Sequence, residues 1–438
     1  MITVDQSRCA YCGCCVSTCP VGALDLRETL LVVSDACNDC GLCLSSCPMG
    51  ALAAPSERSA VSSPCRDQYD MVVVGAGPAG SETAREAASR GLSVLLLEKR
   101  QEIGSPVRCA EGIAHASLSQ HLTPDPRWVA ARIRKARVVL KAEGREHVLE
   151  AEAAAGSAES PGVGYVLERR VFDRVLAERA ALAGARVLVK TAATGLLWDG
   201  ESIAGVNIEG PWGDGNVAAR VVVGADGVES RVGAWAGLTT ALPQADLMSC
   251  AQFLLAGVDI DPECTYYYID HNLAPGGYVW IFPKGEGRAN VGLGVQADLT
   301  DTPPLELLRR FVESHPFLAR GSAVTLVSGG VPVGLPPSPL VADGLLLVGD
   351  AARQVDPLTG GGIANGMAAG RLAAAVAAEA ITAGDTSRAA LSRYEREWEQ
   401  GIGRRMARNY RLRAAFPPLT RNTERFLHVF ALSIGAGH

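Results

Sequence analysis

The chain has 438 residues, of which 48% are hydrophobic and 20% charged, with a formal net charge of -6 and a pI near 5.8. This is globular composition in a chain long enough for about three domains; it excludes a disordered protein and a nucleic-acid binder that works through an overall basic field. No apolar run reaches spanning length and the start MITVDQSRC lacks the pattern of a signal peptide, so a cytoplasmic protein, at most peripheral on the inner face of a membrane, is expected.

Cysteine marks the first predicted unit. Nine of the thirteen cysteines fall within the first 47 residues, a crowding that reads as metal binding in a reducing compartment. Cys9, Cys12, Cys15 and Cys19, then Pro20, follow C-x2-C-x2-C-x3-C-P, and Cys37, Cys40, Cys43 and Cys47, then Pro48, repeat it. The repeat continues past the thiols, since Cys19 to Leu24 reads CPVGAL and Cys47 to Leu52 reads CPMGAL. Two copies related by a local pseudo-twofold are expected. In this spacing three thiolates wrap one iron-sulfur cube and the fourth crosses to its neighbour. Cys9, Cys12, Cys15 and Cys47 would then hold one cluster, and Cys37, Cys40, Cys43 and Cys19 the other. Zinc ribbons pair two C-x2-C knuckles and do not use a triplet. Cys14 is left over, where the second copy has Leu42. Residues 1–55 resemble the bacterial-type two-cluster ferredoxins, which implies two 4Fe-4S clusters, single-electron transfer and an electron-donating partner. Residues 56–68 read as a linker, with Cys65 a linker thiol.

A βαβ pattern follows. Tyr69 to Val74 is an apolar run, Gly75-Ala76-Gly77-Pro78-Ala79-Gly80 comes next, Ser81 to Arg90 has helical spacing, and Ser93 to Leu97 is a second apolar run ending in Glu98. Gly75 suits the tight turn, Gly77 close approach to a pyrophosphate, Gly80 helix-strand packing, and Glu98 a ribose hydroxyl. The helix N-terminus adds its positive end. The fingerprint alone does not choose FAD over NAD.

Further along, Gly344 to Val348 ends in Gly349-Asp350-Ala351-Ala352, and Asp356-Pro357-Leu358-Thr359-Gly360-Gly361-Gly362-Ile363 opens an Ala-rich helix through about Ala380. Gly224-Ala225-Asp226-Gly227 follows the run Val221 to Val223, and Arg169 precedes Phe172-Asp173. Pro106-Val107-Arg108-Cys109-Ala110-Glu111-Gly112 and Gly277-Tyr278-Val279-Trp280-Ile281-Phe282-Pro283-Lys284 complete the set. In this order the motifs resemble the geranylgeranyl reductase family, over about Tyr69 to Gln400. The resemblance implies FAD, with Asp350 on the ribityl side, the start of the helix at Gly360, Gly361, Gly362 and Ile363 beside the reduced flavin, and Lys99, Arg108, Ala110, Asp226 and Gly227 among the cofactor contacts. It places Arg169 near the cofactor, where a surface arginine at a helix start is the competing reading. It puts Cys109 close to the flavin with a part in turnover, against an inert buried thiol.

Tyr278, Trp280 and Phe282 alternate along a predicted strand and so share a face. Periodicity alone fits a pocket wall or an ordinary core; the family's Tyr-x-Trp-x-Phe-Pro signature implies the pocket, with Tyr278 and Trp280 in the catalytic site. The expected fold is α/β: a Rossmann-like FAD-binding domain (69–130 with 155–235 and 329–385), an inserted antiparallel β substrate domain (131–154 with 236–328), a small α+β ferredoxin domain before them and a helical region (386–438) after. The implied activity is FAD-dependent saturation of isoprenoid double bonds of a lipid, fed by a soluble ferredoxin or other low-potential donor. The fused ferredoxin departs from the family pattern and puts NADPH in doubt as reductant. Cys109, Glu111 and Tyr278 are the candidate proton donors. The competing readings are an electron carrier like the electron-transfer-flavoprotein quinone oxidoreductases, and reduction of a menaquinone side chain. The stretch from Gly401 to Phe430 mixes Arg with apolar residues, as a membrane-touching helix or a solvated cap would.

Overall fold

The structure, a computed structural model, describes residues 1–27, 29–54, 68–142, 145–152, 163–211, 213–414 and 430. The expected linker up to residue 67, Cys65 included, and the tail beyond 414 apart from Phe430 lie outside the described residues.

The N-terminal unit carries its sequence repeat into the backbone. Two short helices, Cys14–Ser17 and Leu42–Ser46, each start after a left-handed glycine, Gly13 at φ 77° and Gly41 at φ 75°. Tyr11 and Asp39 share φ values of 54° and 56°, and Gly22 and Gly50 share 61° and 57°. Such angles strain an L side chain, so their recurrence at matched positions records one loop built twice. Thr3–Val4 pairs with Leu52–Ala53, and Leu24–Arg27 with Leu30–Val33. Cys9, Cys15 and Cys43 are buried with Leu24, Leu31 and Leu52, so cysteine makes up much of this small core.

The second unit is a parallel sheet whose strands are apolar on both faces, as burial from both sides requires. Arg186–Leu188, Val94–Leu97, Gln68–Val74 and Gly215–Gly224 run side by side in that order, all parallel. The far edge of Gly215–Gly224 pairs first with Ser202–Glu209, antiparallel, and then with Leu345–Leu347, parallel. Helices Pro78–Ser89 and Ile363–Ala383 pack closely together. A methyl group on Gly370 would stand 2.6 Å from Ala79 O and from Thr83 Oγ1, so glycine is what permits that approach.

The third unit is a seven-stranded sheet in the order Arg145–Glu152, Lys135–Ala142, Cys264–Ile269, Tyr278–Gly285, Arg288–Gln296, Leu247–Ala256, Ser322–Pro332. Its pairings are antiparallel except one: Cys264–Ile269 runs parallel to Lys135–Ala142. One face packs under helix Pro304–Glu313 through Val279, Ile281, Val291, Leu308 and Phe311. The other turns toward the parallel sheet. A three-stranded sheet of Gly112–Ala114, Gly164–Leu167 and Val129–Ile133 lies at the junction.

Candidate active site

The C-terminal ends of four parallel strands converge on one crevice, where open α/β sheets bind their ligands. Gln68–Val74 delivers Gly75, Val94–Leu97 delivers Glu98, Gly215–Gly224 delivers Ala225, and Leu345–Leu347 delivers Gly349. Gly75, at φ 105°, lies so close to Ala225 O that a side chain has no room, and Gly80 packs as tightly on Gly75 O. Gly77 is the opposite case: a methyl group there meets nothing within 4 Å, because it faces the crevice. Glu98 closes over this turn, accepting from Ala76 N (3.2 Å) and Arg100 N (2.9 Å). Asp226 folds underneath, its Oδ2 accepting from Val232 N (3.0 Å) while Oδ1 is buried without a partner among the described residues. Burial raises its carboxyl above the ordinary range. Lys99 is directed to the surface, in an ion pair with Glu229 at 2.9 Å.

From this turn a single cavity of about 630 Å³ runs to the aromatic face of the large sheet. Gly77, Pro78, Ala79, Arg108, Cys109, Ala110, Arg169 and Gly227 line it, as do Gly349, Asp350 and Gly360 to Ile363. Tyr278, Trp280 and Phe282 line it too, whereas Val279 and Ile281 point into the core on the opposite face. The Tyr278, Trp280 and Phe282 face thus lines the cavity while Trp280 and Phe282 are also packed in a buried apolar cluster. Arg169 is held by Asp173 through two 2.7 Å bonds. Burial opposes its charge, but the Asp173 carboxylate outweighs that and keeps it cationic. Asp350 is raised by burial, with Arg169 pulling the other way.

Residues 109–111 are each tied by hydrogen bonds. Gln252 Nε2 donates to Cys109 O (3.1 Å), and the Trp280 indole N–H fixes Gln252 through its Oε1 (2.7 Å). Asn290 Nδ2 donates to Ala110 O (3.2 Å). Glu111, at φ 74°, accepts at its carboxylate from Lys284 Nζ (2.8 Å), Asn290 Nδ2 (2.7 Å) and Arg169 N (2.7 Å). Lys284 is only 3% exposed and also reaches Leu167 O (2.6 Å) and Glu168 (3.1 Å). A buried charge pair persists only when its remaining donors and acceptors are met, and here they are. The Cys109 Sγ accepts from Glu111 N at 3.2 Å. Burial raises the Cys109 thiol, against Arg169, and burial with Cys109 as neighbour pushes Cys250 up to about 12. Burial also lifts Tyr278, whose hydroxyl donates to Thr359 O at 2.5 Å.

Family models match this layout segment by segment: a geranylgeranyl reductase catalytic domain over residues 246–331, an FAD dependent oxidoreductase over 70–281 and a 4Fe-4S binding domain over 2–25. A digeranylgeranylglycerophospholipid reductase of Methanothrix thermoacetophila is 51% identical over 79% of this chain and 87% of its own length. The chain belongs to the geranylgeranyl reductase family. The enzyme of the same name from Methanosarcina acetivorans is 48% identical over 77% of this chain and 82% of its own. A crystal structure of a geranylgeranyl bacteriochlorophyll reductase-like protein from Thermoplasma acidophilum superposes with a TM-score of 0.75 at 42% identity, covering 80% of this chain and 87% of that one. A flavin-dependent brominase, 21% identical with a TM-score of 0.64 over 84% of this chain and 94% of its own, shares the fold.

This geranylgeranyl reductase family member is an FAD-dependent oxidoreductase with a 4Fe-4S binding domain at its N-terminus. Its crevice fits FAD: Gly77 leaves open space at the start of helix Pro78–Ser89, and the Gly360 to Ile363 backbone lines the other end. In the N-terminal unit the cysteines of the two repeats lie close enough to influence one another. Cys15 feels Cys47 and Cys9 as its charged neighbours, whereas Cys43 feels Cys37, Cys40 and Cys19. Cys19, Cys37, Cys40 and Cys43 line one small hollow together. Backbone amides of Ala23 and Ala51 donate to Cys19 Sγ (3.2 Å) and Cys47 Sγ (3.3 Å) at matching places in the two copies.

Several site residues of this reductase carried no sequence signal. Gln252, Asn290 and Lys284 are isolated polar residues in apolar strands, and their burial with partners is what reveals them. Tyr267 packs on Tyr278 and Phe282 at ring-centroid distances of 5.9 and 5.4 Å, across a strand pairing invisible in the sequence. Phe430 closes the same aromatic cluster, 5.6 Å from Tyr267 and 5.5 Å from Tyr278.

Proposed function

We propose that this protein saturates isoprenoid double bonds of a lipid of the geranylgeranyl type, with electrons entering singly through two 4Fe-4S clusters. The observation that carries this reading is the continuity of one cavity from the dinucleotide turn at Gly77, past Cys109, to the aromatic wall of Tyr278, Trp280 and Phe282. An isolated alkene offers no carbonyl to polarise, so its reduction needs a hydride donor, a proton donor and a dry site. FAD, when bound and reduced, supplies the hydride. The protein's part is position and proton. The aromatic wall takes the apolar chain, and the bonds from Gln252, Asn290, Lys284 and Arg169 to residues 109–111 hold Cys109 facing the cavity.

Of the three candidate proton donors, Cys109 is favoured. The Tyr278 proton is committed to Thr359 O, and the Glu111 carboxylate is ringed by Lys284, Asn290 and the Arg169 amide. The Cys109 thiol stays protonated through neutral pH because burial raises it. Addition of two electrons and two protons per double bond balances the reaction, the second proton arriving with flavin reduction. The crossed grouping of thiols, Cys15 with Cys9 and Cys47 against Cys43 with Cys37, Cys40 and Cys19, supports two clusters. The donor in this reading is a soluble ferredoxin or another low-potential carrier, and the protein works in the cytoplasm with peripheral contact to the membrane where such lipids lie. Among the described residues no helix is long and apolar enough to cross a membrane.

The test is anaerobic reduction of the purified protein by dithionite or reduced ferredoxin, addition of a geranylgeranyl phospholipid, and product mass. Stepwise gains of two hydrogens are expected. Reduction of flavin and clusters with unchanged lipid mass, and fast reoxidation by a quinone, would instead make the protein an electron carrier.

A further inference from the structure

The last described helix, Arg404–Ala414, contains five arginines and no acidic residue. Three of them, Arg405, Arg408 and Arg413, line the cavity that also holds the aromatic wall. Arg413 is already engaged: it donates to Ala245 O (2.7 Å) and Gln296 Oε1 (2.8 Å) and lies 3.8 Å from Asp246. Arg405 and Arg408 differ from it. Their partners are neutral amides, Asn365 Oδ1 at 3.1 Å and Asn409 Oδ1 at 3.2 Å, and neither pairs with a carboxylate among the described residues. The Asp356 carboxylate, on the same wall, is taken up by Leu358 N, Thr359 N and Thr359 Oγ1 at one oxygen and by Asn409 Nδ2 (2.7 Å) at the other. Two exposed guanidiniums, three residues apart and hence on one helix face, therefore stand at the cavity with unspent charge.

We propose that Arg405 and Arg408 bind the phosphate of the lipid substrate, fixing its polar end at the mouth while the chain enters along the aromatic wall. This rests on the reductase reading above and adds the substrate's charged group to it. A molecule with an apolar chain and a phosphate can enter such a cavity only if the phosphate keeps solvent or finds cations, because an unpaired buried charge is costly. Guanidiniums present paired N–H donors that match phosphate oxygens. The cofactor's own phosphates have a separate place at Gly77 and the start of helix Pro78–Ser89, so they do not account for this pair. Arg404 and Arg411 lie on the same helix and do not line the cavity, which supplies an internal control of equal charge.

The experiment compares the holoprotein with an Arg405→Gln/Arg408→Gln variant and an Arg404→Gln/Arg411→Gln variant. Substrates are digeranylgeranylglyceryl phosphate and the same lipid without phosphate, both in neutral detergent micelles. The preference for the phosphorylated lipid, as the ratio of kcat/KM values, should fall about tenfold or more in the first variant through KM, as loss of charge-assisted bonds predicts, and stay as in the parent in the second. Inorganic phosphate should compete with the phosphorylated lipid in the parent and in the Arg404→Gln/Arg411→Gln variant, and not in the Arg405→Gln/Arg408→Gln variant. An equal loss for both lipids, an equal loss in the control variant, or release of FAD from the first variant would overturn the proposal. Equilibrium binding of geranylgeranyl phosphate against geranylgeraniol, followed by flavin fluorescence, gives the same comparison without turnover. It separates failure of this phosphate site from failure of the reductase reading: binding preference that falls in the first variant upholds the site even if no lipid is reduced, and unchanged preference rejects it.

Discussion

At the scale of single residues, the site is organised around charges and thiols whose state burial decides. Lys284 and Glu111 are almost wholly enclosed and face each other at 2.8 Å. Lys284→Met is expected to cost about 3–5 kcal/mol in urea denaturation of the holoprotein, since it strands a buried carboxylate. The Glu111→Gln/Lys284→Met double variant, lacking both charges, should recover a substantial part. Cys109 makes a different prediction because its segment is tied to the large sheet through the Cys109 and Ala110 carbonyls, while its sulfur accepts only locally, from Glu111 N. Cys109→Ala should keep FAD absorbance while turnover drops by about a hundredfold, the scale of a lost proton donor. A variant that retains both would remove the thiol from the mechanism. Since burial raises this thiol above its ordinary value, the parent's rate should hold through neutral pH and decline on the alkaline side, with its midpoint above that of an ordinary thiol, as the protonated form is lost.

At the scale of elements, the turn into helix Pro78–Ser89 separates two jobs that the glycine fingerprint merges. Gly80 is required by the protein's own packing, against Gly75 O and the Ala225 methyl, whereas Gly77 touches nothing and faces the crevice. Gly80→Ala should therefore lower the melting temperature of apoprotein and holoprotein alike. Gly77→Ala should leave the apoprotein's melting temperature within a degree or so of the parent's, a site with no contact to lose, yet weaken FAD binding in a flavin titration. The aromatic strand shows the same division by face. Its odd neighbours, Val279 and Ile281, hold the sheet to helix Pro304–Glu313, and Tyr278, Trp280 and Phe282 shape the cavity.

At the scale of the whole molecule, a one-electron module has been joined to a two-electron site. The proposed two-cluster arrangement, with its crossed fourth thiols, predicts which cysteines share a fate. Cys47→Ser and Cys9→Ser should damage one cluster and Cys19→Ser and Cys37→Ser the other, each variant losing roughly half of the iron and acid-labile sulfide. In all four, dithionite should still reduce the flavin, while reduction by a protein donor slows. Loss of all iron from every variant would point to collapse of the small cysteine-rich core and not to cluster assignment.

The sequence by itself determined the iron-sulfur repeat, the dinucleotide turn and the family, because each is written in short, contiguous segments. Thiols two or three residues apart, or glycines opening a helix after a strand, are local geometry and need no distant partner to be read. Even the shared face of Tyr278, Trp280 and Phe282 follows from the two-residue period of a strand. Only the tertiary structure decided which way that face points, since facing a pocket or a core depends on what packs against each side. It likewise brought Gln252, Lys284 and Asn290 to the Cys109 segment from more than 140 residues away, and Arg405 and Arg408 to a cavity begun at Gly77. A lone polar residue in an apolar strand carries no pattern of its own. Its meaning is set by the desolvation it must escape, and the partner that relieves it is chosen by the fold.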